Sequence, residues 1–498
     1  MTSLIRSGGA AVRAGRLRGG LLAALALLAA ALPLQAPAKL PEPVARALSQ
    51  AGIPESAAGF YVHEIGSERP LLAAGADRVL NPASTIKLLT TYAGLELLGP
   101  AYKWATAAYA AGTLKDEVLS GDLVLRGNGD PKLTVENFWL LLRDLRARGL
   151  RDIRGDLVLD RGYFAVEGYD PSRFDDQPTR PYNTGPSALL VNFKAVRLQF
   201  IPDTDARSVR IVTLPVLPQV QVVNQLALDA NGACGDWVGK LRLDAQGNST
   251  AARLAFNGVF PASCGERTRN FSVLGHAQYV LGLFRELWRE LGGTLAGTVR
   301  DGAAAPEARP LASVESPALA EVVRDINKFS NNVMARQLFL TLGAAGAGAP
   351  ATYDKSGRVL RQWLAGKGLS FTELVLENGS GLSRRERISA RNLGQLLLAA
   401  FKSAVMPELV ASLPLAAVDG TMRKRLSGAA VAGQAHIKTG SLAGVRAIAG
   451  YVLDAQGRRV VVVFIVNHAN AGNAQPVQDA LLGWIYRRAD DTCCRQRR

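Results

Sequence analysis

Strand-like segments at the two ends of the chain place the strongest constraint on its fold. Residues 57–64 form one of them, and residues 444–453 and 458–467 form two more, joined by a DAQG turn at 454–457. Two β-rich runs separated by a short turn that contains Gly predict a hairpin. Because strands from both ends can pair in one antiparallel sheet with helices against it, the sequence predicts an α+β fold.

A change in the pattern of apolar and turn-forming residues divides the chain. Between residues 106 and 269, short β-rich runs alternate with Gly, Pro and Asp turns, whereas helical apolar periodicity returns after residue 270. We therefore predict one or two inserted β-rich domains at 106–269 within a domain formed by 39–105 and 270–490. The polar residues 491–498 are predicted to be a disordered tail.

The first 38 residues have the pattern of a secretory signal peptide. Four arginines precede an apolar run that starts at Leu21, and a small-residue APA site at 36–38 follows it. The run spans about 12 residues before Pro33, which is short of the roughly 20 needed to cross a membrane. We expect export to the periplasm, with cleavage near Ala38.

The charge balance is strongly basic, with 58 Lys and Arg against 42 Asp and Glu and a net charge of +16. The basic residues are scattered, and no nucleic-acid-binding motif accompanies them, so nucleic acid is not an expected partner. A solvated basic surface is compatible with peripheral contact to an anionic membrane. The sequence has four His residues and no HExxH or Cys/His cluster, so no metal site is expected.

Two of the four cysteines are candidates for a disulfide. Cys234 and Cys264 lie 30 residues apart, and each is followed by a glycine, a turn-forming residue. In an oxidising compartment this arrangement favours a bridge, although two buried free thiols remain the alternative. Cys493 and Cys494 receive no role.

The motif STIK at 84–87 carries the first candidate chemistry. The dipeptide at 81–82, Asn followed by Pro, predicts the start of a helix, so Ser84 and Lys87 lie on one face about one turn apart. A serine hydroxyl needs a base within hydrogen-bond reach to act as a nucleophile. A lysine can be that base when burial and a second cation lower its pKa. Amide groups at the helix start can stabilise an oxyanion.

Two further motifs, SNN at 330–332 and KTG at 438–440, follow in the chain. Ser330 could pass a proton between the base and a leaving amine, and Asn332 could bind a substrate amide. Lys438 offers the second cation and an anion anchor, Thr439 a hydroxyl for a carboxylate, and Gly440 room for substrate backbone along a strand. Each pattern is common by chance, but here each occurs once and in this order.

The ordered set S-x-x-K, S-x-N and K-T-G resembles that of the penicillin-recognising serine D,D-peptidases and serine β-lactamases. The local contexts are similar to those of the D-alanyl-D-alanine carboxypeptidase/endopeptidases of the penicillin-binding protein 4 type. These contexts are NPASTIK at 81–87, GNGDP at 127–131, YNTGPS at 182–187, GSGLSR at 379–384, VDGT at 418–421 and KTGSL at 438–442. The long gap between the first two motifs fits a branch with domains inserted after the nucleophile.

The resemblance implies a role for each catalytic residue. Ser84 is the nucleophile that forms an acyl-enzyme, and Lys87 is its general base. Ser330 and Asn332 assist proton transfer and hold the substrate. The backbone N–H groups of Ser84 and Ser441 form the oxyanion hole.

The resemblance also implies the residues that bind substrate. Lys438 and Thr439 bind the terminal carboxylate, and Arg384 and Asp160 help to hold the peptide side chain. Ala443 occupies a position where family members can carry a polar residue, so the sequence indicates no side-chain preference.

The implied reaction removes the terminal D-Ala from a peptidoglycan stem peptide without a cofactor, and β-lactams would acylate the same serine. Attack on a cross-link would add D,D-endopeptidase activity. Two alternatives remain: a serine β-lactamase, for which the insertion is larger than needed, and a non-catalytic scaffold that binds peptidoglycan.

Overall fold

The computed structural model describes residues 39–495 apart from Glu167, Glu307 and Arg309, and for residues 489–495 it describes the backbone alone. The predicted signal peptide lies outside the described residues. The helices are α1 (Glu42–Gln50), α2 (Lys87–Leu98), α3 (Val135–Ala147), α4 (His276–Glu290), α5 (Leu319–Lys328), α6 (Asn332–Ala347), α7 (Tyr353–Gly366), α8 (Ala390–Phe401), α9 (Met406–Ser412) and α10 (Gln475–Arg495).

The strands fall into two groups. Those of the terminal segments are β1 (Ala58–Glu64), β2 (Leu72–Ala74), β16 (Ala435–Leu442), β17 (Val445–Leu453) and β18 (Arg459–Asn467). Those between them are β3 (Ala105–Lys115), β4 (Val118–Gly127), β5 (Asp152–Ile153), β6 (Leu157–Asp160), β7 (Val196–Asp203), β8 (Ser208–Leu214), β9 (Val220–Asp229), β10 (Leu241–Gly247), β11 (Ala252–Pro261), β12 (Arg267–Phe271), β13 (Thr294–Leu295), β14 (Val299–Asp301) and β15 (Ala312–Glu315).

The terminal strands form a single five-stranded sheet in the order β16-β17-β18-β1-β2. The first strand, β1, pairs antiparallel with β18 in a register that places Ala58 opposite Val466. Strand β17 lies between β16 and β18 and pairs antiparallel with each of them. The predicted α+β fold, with one antiparallel sheet built from both ends of the chain, is confirmed.

The central strand β18 explains why this part of the sequence is apolar without interruption. Residues Val460 to Val466 have no exposed surface. Side chains alternate between the two faces of a strand. Accordingly, Val461, Val463 and Ile465 pack in a core with α2, α5, α6 and α8, and the even-numbered residues pack in a second core with α1 and α10. A strand buried on both faces needs apolar residues at every position.

A further core lies between residues 105 and 315. It joins side chains of a seven-stranded sheet, two three-stranded sheets, α3 and α4. The sequence assigned 276–290 to the peptidase domain, but Tyr279, Phe284 and Trp288 of α4 pack in this core. The chain then returns through β15, which pairs with β3. We therefore propose an inserted domain at 105–315 in place of the predicted 106–269.

The helix α6 carries several of the contacts between the inserted part and the peptidase part. Its buried Gln337 accepts a hydrogen bond from the amide of Ser187 (3.0 Å) and donates one to the carbonyl of Ser187 (2.8 Å). The neighbouring Arg336 donates to the carbonyl of Thr184 (3.1 Å). The YNTGPS motif at 182–187 therefore docks on the helix whose first residue is Asn332.

Two further expectations have clear outcomes. Cys234 and Cys264 are bonded to each other, so the predicted disulfide is confirmed. The backbone of α10 continues to Arg495, so residues 491–495 extend a helix where a disordered tail was expected, and residues 496–498 lie outside the described residues. In the described part of the chain, no helix has the length and apolar character that a membrane span requires.

Candidate active site

Ser84 and Lys87 meet at the start of the helix that the sequence predicted. A 3₁₀ turn, Ala83–Ile86, leads into α2, and the side chain of Asn81 accepts a hydrogen bond from the amide of Ala83 (2.9 Å). The amine nitrogen Nζ of Lys87 lies 3.0 Å from the hydroxyl Oγ of Ser84. The hydroxyl and the amine are therefore within proton-transfer distance.

Lys87 is fully buried, and three oxygen atoms surround its amine. Besides Ser84 Oγ, these are Asn332 Oδ1 at 2.6 Å and the carbonyl oxygen of Ser380. A neutral amine has two N–H groups and one lone pair. The carbonyl oxygens of Asn332 and Ser380 can only accept hydrogen bonds, so they take the two N–H groups. The lone pair is then left for the hydroxyl proton of Ser84.

The electrostatic surroundings favour that neutral form. Burial holds the pKa of Lys87 well below its ordinary value, and the positive charge of Lys438 lowers this pKa further. The carboxyl group of Glu386 acts in the opposite direction. A buried amine with a second cation nearby is the arrangement in which a lysine works as a base.

Ser330 and Lys438 form the second half of the site. The amine of the buried Lys438 donates to Ser330 Oγ and to the carbonyl oxygen of Thr439, each at 2.8 Å. Burial lowers the pKa of Lys438 to about 7. Ser330 has a φ of +55°, a left-handed conformation that is costly for a residue with a side chain and often marks a functional position. Among the described residues no hydrogen bond joins Ser330 to Lys87.

The KTG segment lies on β16 beside the 3₁₀ turn that carries Ser84. Thr439 Oγ1 donates to Thr421 Oγ1 (2.8 Å), which gives the VDGT motif a contact within the site. A Cβ on Gly440 would lie 2.8 Å from the carbonyl oxygen of Pro82. The glycine therefore lets the strand approach the chain next to the serine, and its expected role, room for substrate backbone, stays a prediction. Ser441 is exposed.

Two contributors to the site were missed by sequence reasoning. The carbonyl of Ser380 contacts Lys87, and a Cβ on the adjacent Gly381 would lie 2.7 Å from the amide nitrogen of Ser84. The fully buried Glu386 holds this loop, because its Oε1 accepts from the amides of residues 377, 378 and 379. The GSGLSR motif could have indicated the loop. Glu386 is a single acid in a polar stretch, so no sequence pattern indicated its role.

Arg384 lies at the edge of the site. It donates to the carbonyl of Ala443 (3.1 Å), and its guanidinium lies 4.7 Å from the centre of the Phe174 ring. It lines a cavity of about 610 Å³ together with Tyr169 and Asn378. The guanidinium is thus placed where both parts of the chain meet.

Asp160 is held by contacts within the inserted part. Its carboxylate accepts from Arg126 Nε (2.8 Å), from the amide of Ala304 (3.0 Å) and from that of Gly162 (3.3 Å). Its role in holding the peptide side chain stays a prediction. Within the described ranges, no group of three or more His, Cys, Asp or Glu side chains is placed to hold a metal ion.

Comparison with known proteins assigns this arrangement to a family. Residues 40–487 match the D-Ala-D-Ala carboxypeptidase 3 (S13) family. The chain belongs to this family. The D-alanyl-D-alanine carboxypeptidase of Actinomadura sp. strain R39 is a relative with 30% identity over 461 residues, which cover 89% of this chain and 84% of that protein. DacB of Haemophilus influenzae is 25% identical over 85% of this chain and 88% of its own length.

The fold agrees with that assignment to the S13 family. The crystal structure of penicillin-binding protein 4 (dacB) from H. influenzae matches with a TM-score of 0.74 and 24% identity, over 90% of this chain and 99% of that one. The chain is accordingly a serine peptidase of the D-Ala-D-Ala carboxypeptidase class, as the resemblance implied.

Proposed function

We propose that Ser84 is the nucleophile of the D-Ala-D-Ala carboxypeptidase reaction and that Lys87 is its general base. The observation that carries this assignment is the surroundings of the Lys87 amine. It is buried, two carbonyl oxygens occupy its N–H groups, and Ser84 Oγ lies 3.0 Å away. A neutral amine held in this way can take the hydroxyl proton as the oxygen attacks.

The reaction then runs in two acyl-transfer steps. Ser84 Oγ attacks the carbonyl carbon of the penultimate D-Ala while its proton moves to Lys87, and the backbone N–H groups of Ser84 and Ser441 stabilise the oxyanion. The peptide bond breaks, and the amine of terminal D-Ala leaves with a proton delivered through Lys87 or Ser330. Water then attacks the Ser84 ester and releases the shortened peptide and the free hydroxyl.

The proposed substrate is a peptidoglycan stem peptide. Lys438 and Thr439 would bind its terminal carboxylate, and Arg384 would contact its side chain. A related structure, penicillin-binding protein 4 from H. influenzae, is described in complex with a β-lactam. We therefore infer that β-lactams acylate Ser84 as well. If the leaving amine belongs to a neighbouring stem, the same steps cleave a cross-link, which is the proposed endopeptidase activity.

We place this activity in the periplasm, because residues 1–38 have the signal-peptide pattern described above. The basic surface suits peripheral contact with an anionic membrane face, and no role in binding nucleic acid is proposed.

The test is to map the site of covalent labelling. The mature protein is incubated with a fluorescent penicillin and digested, and the labelled peptide is sequenced by mass spectrometry. We expect one label per chain, on Ser84, that persists for many minutes. Fast release of the opened penicillin would instead indicate a β-lactamase, and no labelling of folded protein would indicate a non-catalytic scaffold.

The pH dependence of turnover gives a second test. Burial lowers the pKa of Lys438 to about 7, so the free enzyme loses this positive charge as the pH rises above 7. For a peptide with a free terminal carboxylate, kcat/KM should then fall by up to about tenfold per pH unit. A substrate whose terminal carboxylate is amidated should lack this alkaline limb. Equal alkaline limbs for both substrates, measured between pH 5 and 10, would contradict the role of Lys438 as carboxylate anchor.

A further inference from the structure

The inserted part contains a cavity of about 880 Å³ that the proposed mechanism does not use. Arg161, Ser187, Lys194 and His276 are among its lining residues. Its wall also contains Val166, Tyr169 and Pro171, and these same three residues line the cavity beside Arg384. The two cavities are therefore neighbours along one segment of the chain.

Lys194 is presented to this cavity by an unusual turn. Asn192, Phe193 and Lys194 have φ values of +48°, +53° and +52°, so three consecutive residues with side chains adopt the left-handed conformation. This conformation is unfavourable for such residues, and it persists where the surrounding structure holds it. Here the side chain of Asn192 bonds the carbonyl of Ala195 (3.0 Å) and the hydroxyl of Tyr279 (2.9 Å).

Among the residues that the structure describes, no Asp or Glu side chain pairs with the positive charge of Lys194. Its amine donates to the carbonyl oxygen of Leu274. Burial lowers the pKa of Lys194 to about 8, so the amine still carries a proton at neutral pH. A partly buried cation without a counter-charge is stabilised by a bound anion.

The other described polar groups that line the cavity do not pair with that charge. Arg161 is paired with Asp301 through two hydrogen bonds, at 2.8 and 2.5 Å. His276 is neutral, because burial and the charges of Lys194 and Arg161 lower its pKa to about 3. Ser187 is 5% exposed, and its Oγ has no hydrogen-bond partner among the described residues. Among the described lining residues, Lys194 is thus the charged side chain without an ion-pair partner, and it lies in a wall with polar groups able to form further hydrogen bonds.

We propose that this cavity is a second substrate-binding site, in which Lys194 binds a carboxylate of another stem peptide of the peptidoglycan. The inference rests on the proposed function, because only a polymeric substrate carries further stem peptides close to the one being cleaved. Stem peptides carry free carboxylates, the volume is sufficient for several residues, and the wall shared with the cavity beside Arg384 lets one polymer occupy both.

The experiment measures binding of a peptidoglycan fragment that lacks D-Ala, a disaccharide tripeptide, by isothermal titration calorimetry. The variants are Lys194→Met, which removes the charge, and Lys194→Arg, which keeps it. Lys240→Met is the matched control, since Lys240 lies in the inserted part, also donates to a backbone carbonyl (that of Ala233) and does not line the cavity. We expect Lys194→Met to weaken binding by about tenfold or more. Lys194→Arg and Lys240→Met should bind like the unmodified protein.

Two competitors and one activity measurement make the result decisive. Inorganic phosphate, or the disaccharide without its peptide, should compete poorly, and equal competition by either would overturn the assignment to an acidic peptide. Penicillin acylation should be normal in all variants. Failure of the tripeptide to bind, or equal binding by Lys194→Met, with normal acylation would overturn this inference alone. If penicillin does not acylate the unmodified protein, the proposed function is refuted.

Discussion

Replacing Ser84 with alanine is expected to abolish labelling by penicillin and to lower carboxypeptidase turnover by at least about 10⁴-fold. The substitution removes the atom that would form the acyl bond, so no residual group can carry the covalent step. The hydrogen bond of Ser84 Oγ to Lys87 is lost at a partly exposed position, so the free energy of unfolding should change by no more than about 1 kcal/mol. Stoichiometric labelling and the melting temperature measure the two effects.

A matched serine substitution separates the covalent role from a general effect of the change. Ser49 is an exposed serine of α1 on the terminal part of the fold, and Ser49→Ala should label at the rate of the unmodified protein. Stoichiometric labelling of folded Ser84→Ala would refute the assignment of the nucleophile.

Replacing Lys87 with methionine is expected to slow penicillin acylation by about 10²- to 10⁴-fold, the range that a general base contributes. Methionine has a similar length, and its uncharged side chain suits a buried site. The change leaves Asn332 Oδ1 and the carbonyl of Ser380 without their shared donor, so we also expect a loss of about 1–3 kcal/mol in the free energy of unfolding. Acylation kinetics measure the loss of rate, and a urea titration measures the loss in the free energy of unfolding.

Further variants separate loss of the base from loss of charge or of stability. Lys87→Arg keeps a positive charge but cannot become neutral, so it should be as slow as Lys87→Met. Lys367→Met removes an exposed lysine that pairs with Glu96, and its acylation rate should not change. The double variant Ser84→Ala/Lys87→Met should be no slower than Ser84→Ala, because the two groups act as one unit. Fast acylation of folded Lys87→Met would exclude Lys87 as the base.

Features that leave a recognisable local pattern were predicted from the sequence. Ser84 and Lys87 come together because residues three apart share a helix face. The disulfide between Cys234 and Cys264 followed from the expected compartment and the flanking turns. The single antiparallel sheet built from both ends of the chain followed from the strand patterns there, although the sequence did not indicate which strands pair. The motif order then indicated the family, although Ser84 and Ser330 lie far apart in the sequence.

Features that depend on packing between distant segments were decided by the tertiary structure. No sequence signal distinguished Glu386, yet it holds the loop whose Ser380 carbonyl contacts Lys87. Asp160 matched a family position, yet it pairs with Arg126 inside the inserted part.

The helix 276–290 shows the same limit for domain boundaries. Its periodicity indicates that the helix has an apolar face, but it does not indicate in which core that face packs. Backbone geometry sets local spacing at every position. Long-range contacts depend on which surfaces of the folded chain fit together. The residue pattern of one segment does not reveal which distant segment it will contact.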